Sequence, residues 1–146
     1  MNAAKPSYAV AEVVPHAGRM ILIDEILDYS SRGLTACVTI RESSLFLAGN
    51  AVPAWVGIEY MAQTIAAWAG VQARLRGEPV KTGYLLGSRQ YQASHPAFAL
   101  GDTLTIVVNK QYHEGELAVF DCRISGSEIA VSATLNVFQP VNDNFL

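Results

Sequence analysis

The pattern of hydrophobic and polar residues predicts one long apolar helix between two groups of strands. The stretch from Pro53 to Gly77 has the length of a helix, with proline at a plausible first-turn position and glycine just beyond the end. Between Pro53 and Ala73 it contains a single charged residue, Glu59. Because apolar side chains occupy nearly every face, we expect the protein to enclose this helix on most sides.

Alternation of apolar and polar residues predicts six strands around that helix. The turns between the last three strands have hairpin spacing, so we expect these strands to be antiparallel. Residues 43–52 and 96–102 are predicted to be loops, and the first dozen residues an arm or a short helical turn. The predicted strands are Met20 to Leu27, Thr35 to Arg41, Tyr84 to Ser94, Thr103 to Tyr112, Glu116 to Ile124 and Ile129 to Val137.

Two strands, one long helix and four antiparallel strands are the elements of an α+β hotdog fold. In this fold an antiparallel curved sheet wraps around one long central helix, which would bury the helix as its sequence requires. The 146 residues suit a single domain, 1–146, with its core at about 8–139 and a loose C-terminal tail. Hotdog protomers usually join their sheets edge to edge, which removes the open edges.

The composition limits the classes of partner. Hydrophobic residues make up 51% and charged residues 16% of the chain, against a usual charged share of roughly 25%. This excess of apolar residues favours a buried subunit interface. The net charge of −3 argues against nucleic acid as a partner.

The cysteines and the N-terminus predict a reduced, cytoplasmic setting. Cys37 and Cys122 lack a metal-ligand spacing, and we interpret them as small buried hydrophobic residues. The first ten residues lack the apolar core of a signal peptide. The apolar helix has about the length of a membrane span, but Glu59, Gln63 and Gln72 would be costly in a bilayer, so we expect no span.

Three short motifs resemble one enzyme family. Val14-Pro15-His16, followed by MILIDEIL, resembles the Leu-Pro-His…Leu-Val-Asp segment of the 3-hydroxyacyl-[acyl-carrier-protein] dehydratases. The helical stretch 58–63, IEYMAQ, resembles that family's Ile-Glu-Ala-Met-Ala-Gln, and Leu100-Gly101-Asp102 resembles its Pro-Gly-Asp. The matches keep the family's order and spacing over about residues 10–138. The phrase PAWVGIEYMAQTIAAWAG most resembles a divergent branch found with aryl-polyene pigment synthesis.

The resemblance implies a site made of a histidine and a carboxylic acid. His16 would take the α-proton of a 3-hydroxyacyl thioester, and Glu59 would protonate the departing hydroxyl to give a trans-2-enoyl thioester. In hotdog dehydratases the two groups come from different subunits. Histidine titrates near neutrality, as such a base requires, and an acid that must keep its proton needs an apolar environment. Gln63, one helical turn after Glu59, either orients that carboxyl or is a simple buried amide.

The start of the helix offers donors for the enolate-like oxygen of the reaction. Backbone N–H groups at a helix N-terminus are free and favoured by the dipole, here those of Ala54 and Trp55. Ala54 stands where the family has glycine, but a backbone N–H survives that change. The family's His-Phe-Pro-Gly stretch is missing, and LAGNAVP stands in its place in a loop that is shorter than the family's. We expect Trp55, Tyr60 and Trp68 to be the first candidates for lining an acyl tunnel.

The resemblance also implies an acyl carrier protein that delivers a phosphopantetheine-linked substrate, and a homodimer or hotdog heterodimer. Arg74, Arg76 and Lys81 either complement the helix dipole or form a docking patch for the acidic carrier. We expect no cofactor and no metal, because the histidines and Glu59 lack the spacing of a metal site.

Three hypotheses follow from these residues. The first is a 3-hydroxyacyl-[acyl-carrier-protein] dehydratase, a hydro-lyase of fatty acid, polyketide or aryl-polyene type synthesis. The second is a hotdog thioesterase in which Glu59 activates water; such enzymes often lack the Pro-His motif, so His16 favours dehydration. The third is a non-catalytic partner subunit that completes another hotdog protein's site. His95 and His113 are expected in an exposed loop and turn and are assigned no role.

Overall fold

A computed structural model describes residues 5–140 of the chain. The helices are α1 (Val10–Val13) and α2 (Gly57–Leu75), and the strands are β1 (Glu25–Tyr29), β2 (Gly33–Thr39), β3 (Ala51–Pro53), β4 (Tyr84–Ala93), β5 (Ala97–Ala99), β6 (Thr103–Glu114), β7 (Leu117–Ser125) and β8 (Ala130–Phe138). A six-stranded antiparallel sheet, in the order β1-β2-β6-β7-β8-β4, wraps around the long helix α2, and β3 and β5 form a separate two-stranded ladder. This confirms the predicted α+β hotdog fold.

The predicted boundaries are wrong at the first strand and in both predicted loops. The first strand begins at Glu25 rather than at Met20, because Gly18–Met20 forms a 3₁₀ turn in which Gly18 has a φ of 58°. The strands β3 and β5 lie where loops were predicted. Each has only three residues, which is too short for a detectable alternation of apolar and polar positions.

The two ends of the long helix are fixed by different local structures. Pro53 ends β3 instead of occupying the first turn, and a 3₁₀ turn over Ala54–Val56 leads into α2. At the other end Gly77 has a φ of 72° and lies just beyond the helix, as predicted. The Gly77 and Glu78 amides bond to the carbonyls of residues 74 and 73, which is the Schellman pattern. Within residues 5–140, no helix is long and apolar enough to cross a membrane.

The hydrophobic core lies between α2 and the concave face of the sheet. Met61 and Ile65 of the helix are buried with Leu104, Ile106 and Phe120 of the sheet. Cys122 is buried and Cys37 half-buried, both as free thiols; burial raises the pKa of Cys122 to about 12. The predicted N-terminal arm forms α1 over part of its length, while the predicted tail lies, from residue 141 onward, outside the described residues.

The short helix α1 crosses the long helix at a glycine. A Cβ atom added to Gly70 would lie 1.7 Å from the carbonyl oxygen of Val13, so only glycine permits this approach. The contact fixes the segment that leads towards His16. Both Val10 and Val13 are buried in it.

We predict that Gly70→Ala lowers the free energy of unfolding by about 1–3 kcal/mol, because the new methyl group displaces α1. Urea unfolding followed by tryptophan fluorescence measures the change. Gly87→Ala is the matched control, since a Cβ at Gly87 would meet open space, and it should change the free energy by less than about 0.5 kcal/mol. Equal effects of the two substitutions would contradict the close-approach argument.

Candidate active site

A long groove follows one face of α2, and both residues of the predicted catalytic pair line it. Its volume is about 730 Å³, and the wall opposite the helix comes from β4, β6, β7 and β8. Glu59 marks the start of the helix and Arg76 its end, 17 residues apart, so the groove runs beside roughly 25 Å of helix. The chain thus brings His16 and Glu59 to the wall of a single cavity.

The middle of the groove is apolar and its far end is charged. Ala62, Ala66 and Ala69 present small side chains from the helix, and Phe120 and Val137 face them from the sheet. None of the charged and polar residues at the far end was assigned to the groove from the sequence, where Arg76 and Lys81 were candidates for a docking patch or for complementing the helix dipole. The residues at the far end are Arg76, Glu78, Lys81, Lys110, His113 and Glu116.

Glu59 lies in the first turn of α2 and is exposed. The expected burial of this carboxylate is therefore wrong for the single chain. The physical reason is its position on the groove side of the helix, at the head of the alanine face that the sheet does not cover. Met61, on the opposite side of the same turn, is fully buried. The dipole of α2 favours a negative charge at this position.

His16 follows the exposed Pro15 in the irregular segment between α1 and the 3₁₀ turn. The residue is half-buried, and its Nδ1 atom is buried without a hydrogen-bond partner among residues 5–140. A buried ring nitrogen without a partner is uncommon, and such atoms are often completed by a ligand, an ion or water. His16 lines the groove, and the burial of Nδ1 leaves Nε2 as the ring nitrogen for a molecule bound there.

Gln63 connects the helix to the segment that follows His16. Its Oε1 atom accepts hydrogen bonds from the amides of Leu22 (2.6 Å) and Ile23 (3.0 Å), and its Nε2 atom donates to the carbonyl of Met20 (2.8 Å). Only 3% of Gln63 is exposed. Of the two alternatives for Gln63, these contacts are those of a buried amide. They also explain why residues 20–23 do not join the sheet as a strand.

The start of α2 is held by two bonds to Ala54. The amide of Ala54 donates to the carbonyl of Pro96 at 2.8 Å, and the hydroxyl of Tyr91 donates to the Ala54 carbonyl. Burial raises the pKa of Tyr91 to about 12, so this hydroxyl keeps its proton at neutral pH. The assignment of the Ala54 amide to an oxyanion is wrong, because the ladder between β3 and β5 brings Pro96 onto it. The assignment of Trp55 stays a prediction.

Of the three aromatic residues singled out from the sequence, Trp68 lines the groove. Its indole donates to the carbonyl of Ser30 at 3.1 Å, and its ring meets Phe120 edge-on at 5.4 Å. Trp55 is instead 59% exposed and packs against Phe46. Tyr60 of α2 is buried. Trp55 lies in the 3₁₀ turn before α2, whereas Tyr60 lies on the side of α2 opposite Ala62 and packs against Phe98.

The basic residues near the end of α2 are largely engaged within the chain. Arg74 donates through Nε and Nη2 to the carbonyl of Glu12 at 3.1 and 2.9 Å, which fixes the end of α1. Arg76 forms an exposed ion pair with Glu78 at 3.2 Å. Lys81 lines the far end of the groove with Arg76. The sequence did not reveal the Arg74 contact, because α1 and α2 meet only in the tertiary structure.

The aspartates of two sequence motifs stabilise turns. Asp24 accepts the amide of Thr39 at 2.8 Å and pairs with Arg41 at 2.9 Å. Asp102 accepts the amide of Ser127 at 3.2 Å. These motif residues hold the framework of the site, whereas His16 and Glu59 face its cavity.

We predict that Gln63→Leu lowers the free energy of unfolding by about 3 kcal/mol, because three backbone groups of residues 20–23 lose their partner. Gln72→Leu is the matched control and should cost less than about 1 kcal/mol. Its amide makes a single hydrogen bond, to a Ser30 carbonyl that Trp68 also contacts. Urea unfolding gives both values, and the Gln63 assignment is wrong when the two variants are equally stable.

Comparison with known proteins relates the chain to one family. The family described as ApeP-like, ApeP dehydratase, matches residues 8–146. A chain of the dehydratase heterocomplex ApeI:P from Xenorhabdus doucetiae is 28% identical over 94% of both chains, with a TM-score of 0.86.

More distant structures share the hotdog fold. A hypothetical thioesterase from Streptococcus pneumoniae TIGR4, solved with coenzyme A, is 19% identical over 80% of this chain and 84% of that one, with a TM-score of 0.62. The PaaI protein of the E. coli phenylacetic acid degradation operon is 16% identical over 76% and 79%, with a TM-score of 0.58. The search of curated proteins gives no significant match. From the match over residues 8–146, the chain belongs to the ApeP-like dehydratase family.

Proposed function

We propose that the protein removes water from a 3-hydroxyacyl thioester bound to an acyl carrier protein and forms the trans-2-enoyl thioester. The observation that carries this proposal is the placement of His16 and Glu59 on the wall of one groove with an apolar middle section. Membership of a dehydratase family supports the reaction type. The resemblance of the helix sequence to the aryl-polyene branch supports a chain of that class.

The proposed reaction needs one base and one acid. His16 removes the α-proton of the thioester, and Nε2 is the nitrogen assigned to this step because Nδ1 is buried. The C–H electrons form the new double bond as the C3–O bond breaks. Glu59 donates its proton to the departing hydroxyl, which leaves as water. His16 ends protonated and Glu59 ionised, and return of one proton from His16 to Glu59 restores the pair.

The open groove requires a cover for this chemistry. Glu59 is exposed in the single chain, whereas a carboxylic acid that keeps its proton works in a site from which water is excluded. A second hotdog protomer over the groove would supply that exclusion. The expectation that His16 pairs with the Glu59 of another subunit stays a prediction, because this groove contains both residues of one chain.

We assign the partner to the β4 edge of the sheet. Most residues of β4 are exposed on both faces, including Leu85 and Leu86, and Tyr84 and Leu85 line the groove. The other edge strand, β1, is partly covered by the preceding segment, where Lys5 pairs with Asp28 at 2.7 Å. An open apolar edge is a template for another strand. The heterocomplex of the similar ApeI:P chain favours a different hotdog protein as the occupant.

We predict that Leu86→Lys weakens this association at least about tenfold, because a charge replaces an apolar contact at the interface. Sedimentation of the chain, alone and with its co-purified hotdog partner, measures the change. Leu27→Lys on β1 is the matched control: the two leucines are 59% and 52% exposed, and each lies on an edge strand. An unchanged complex with Leu86→Lys, or an equal loss with Leu27→Lys, would place the partner elsewhere.

A product assay tests the reaction and separates the alternatives. The purified complex is incubated with a 3-hydroxyacyl carrier-protein thioester, and the mass of the product is read. Loss of one water supports dehydration. Release of the free acid would replace the proposal with a thioesterase, and an unchanged substrate would favour a non-catalytic partner subunit.

We predict that His16→Ala and Glu59→Gln each lower the rate of dehydration by at least about 100-fold, since each removes a proton-transfer group. Melting temperatures should stay within a few degrees of the original protein, because neither side chain is a buried core residue. His95→Ala and Glu128→Gln, which change exposed residues outside the groove, should keep full activity. Full activity of either site variant would remove that residue from the mechanism.

A further inference from the structure

A second, smaller cavity lies on the other side of the segment that follows His16. It has a volume of about 160 Å³ and is lined mainly by polar groups. Leu22 is the one residue that it shares with the catalytic groove. Arg19, Arg41, Thr39, Ser43 and Ser44 form its polar wall, and we call it the arginine cleft.

The groups in the arginine cleft suit an anion with several oxygen atoms. Arg41 is fixed in place by Asp24 at 2.9 Å, and the same carboxylate oxygen accepts the amide of Thr39. Arg19, in contrast, is exposed and forms no ion pair with an acidic side chain of residues 5–140. Two guanidinium groups and one carboxylate leave one net positive charge. Arginine forks and hydroxyl groups are the donors that bind phosphate in proteins.

The position of the cleft relates it to the catalytic groove. Arg19 follows His16 by three residues, so their Cα atoms are at most about 11 Å apart. The wall between the two cavities is the segment 20–23, which Gln63 holds against the helix. A ligand with its thioester at His16 and its phosphate near Arg19 would therefore have its two ends on opposite sides of this segment, where Leu22 borders both cavities.

We propose that the arginine cleft binds the phosphate of the phosphopantetheine arm through Arg19, Arg41 and the hydroxyl groups of Ser43 and Ser44. This rests on the proposed function, because it assumes that a carrier-bound thioester reacts at His16. The cations at the other end of α2 fit this task less well, since they lie about 25 Å along the helix from Glu59 and Arg76 is already paired with Glu78. The acyl chain then extends away from the cleft, into the apolar part of the groove.

Direct binding tests the cleft without turnover. Calorimetry compares phosphopantetheine with pantetheine, which lacks the phosphate, on the full chain in complex with its hotdog partner. The original protein should bind phosphopantetheine about tenfold more tightly, as expected for charge-assisted hydrogen bonds. Arg19→Gln should abolish this preference and Ser43→Ala should reduce it. Arg123→Gln, the same charge change on an exposed residue outside the cleft, should preserve it.

Kinetic measurements with two substrates test whether the phosphate that binds in the cleft is the one on the carrier-bound arm. With the carrier-bound thioester, Arg19→Gln should raise KM about tenfold and leave kcat unchanged, whereas neither constant should change with a pantetheine thioester. The proposal is overturned by equal affinities of the original protein for the two arms, by equal effects of Arg19→Gln and Arg123→Gln, or by a carrier KM that does not respond. Turnover of the pantetheine thioester by the original protein tests the proposed function separately, because that substrate has no phosphate.

Discussion

The buried amide of Gln63 is the interaction on which the arrangement of the site depends. Its three hydrogen bonds to residues 20–23 replace the ladder bonds that a strand would have made there. Backbone groups at this depth must be bonded to something, and the side chain of the helix satisfies them. As a result the segment after His16 lies against α2 and forms the wall between the groove and the arginine cleft.

The second constraint is that the sheet covers only part of α2. Its core side packs against Leu104 and Ile106, whereas the face with Ala62, Ala66 and Ala69 borders the groove. Small side chains on that face keep the cavity wide. Water that enters this opening would weaken the electrostatic interactions of an active site. The exposed Glu59 and the open β4 edge are two consequences of the same incomplete enclosure. A partner at β4 would therefore complete both the sheet and the proposed site.

The long helix was predicted correctly from the sequence, whereas the role of the amide at its start was not. The periodicity of residues 53–77 predicted α2 and its glycine stop, because local backbone preferences decide both. The amide of Ala54 was assigned to an oxyanion because a helix start has free N–H groups. In the structure that amide donates to the carbonyl of Pro96, 42 positions away. Pro96 directly precedes β5, in a ladder that is too short to leave a sequence pattern. A local rule cannot anticipate a distant acceptor.

The sequence by itself determined the order of the long helix and the six strands of the main sheet, the single charge of the helix and the motifs around His16 and Glu59. These features depend on short-range periodicity and on residue chemistry, which are readable along the chain. Only the tertiary structure decided that Gln63 binds the segment after His16, that Trp68 rather than Trp55 lines the groove, and that Arg74 serves α1. It also decided that Glu59 faces an open cavity instead of the core. Each of these depends on helix phase and on contacts between residues far apart in sequence, which the curvature of the sheet sets.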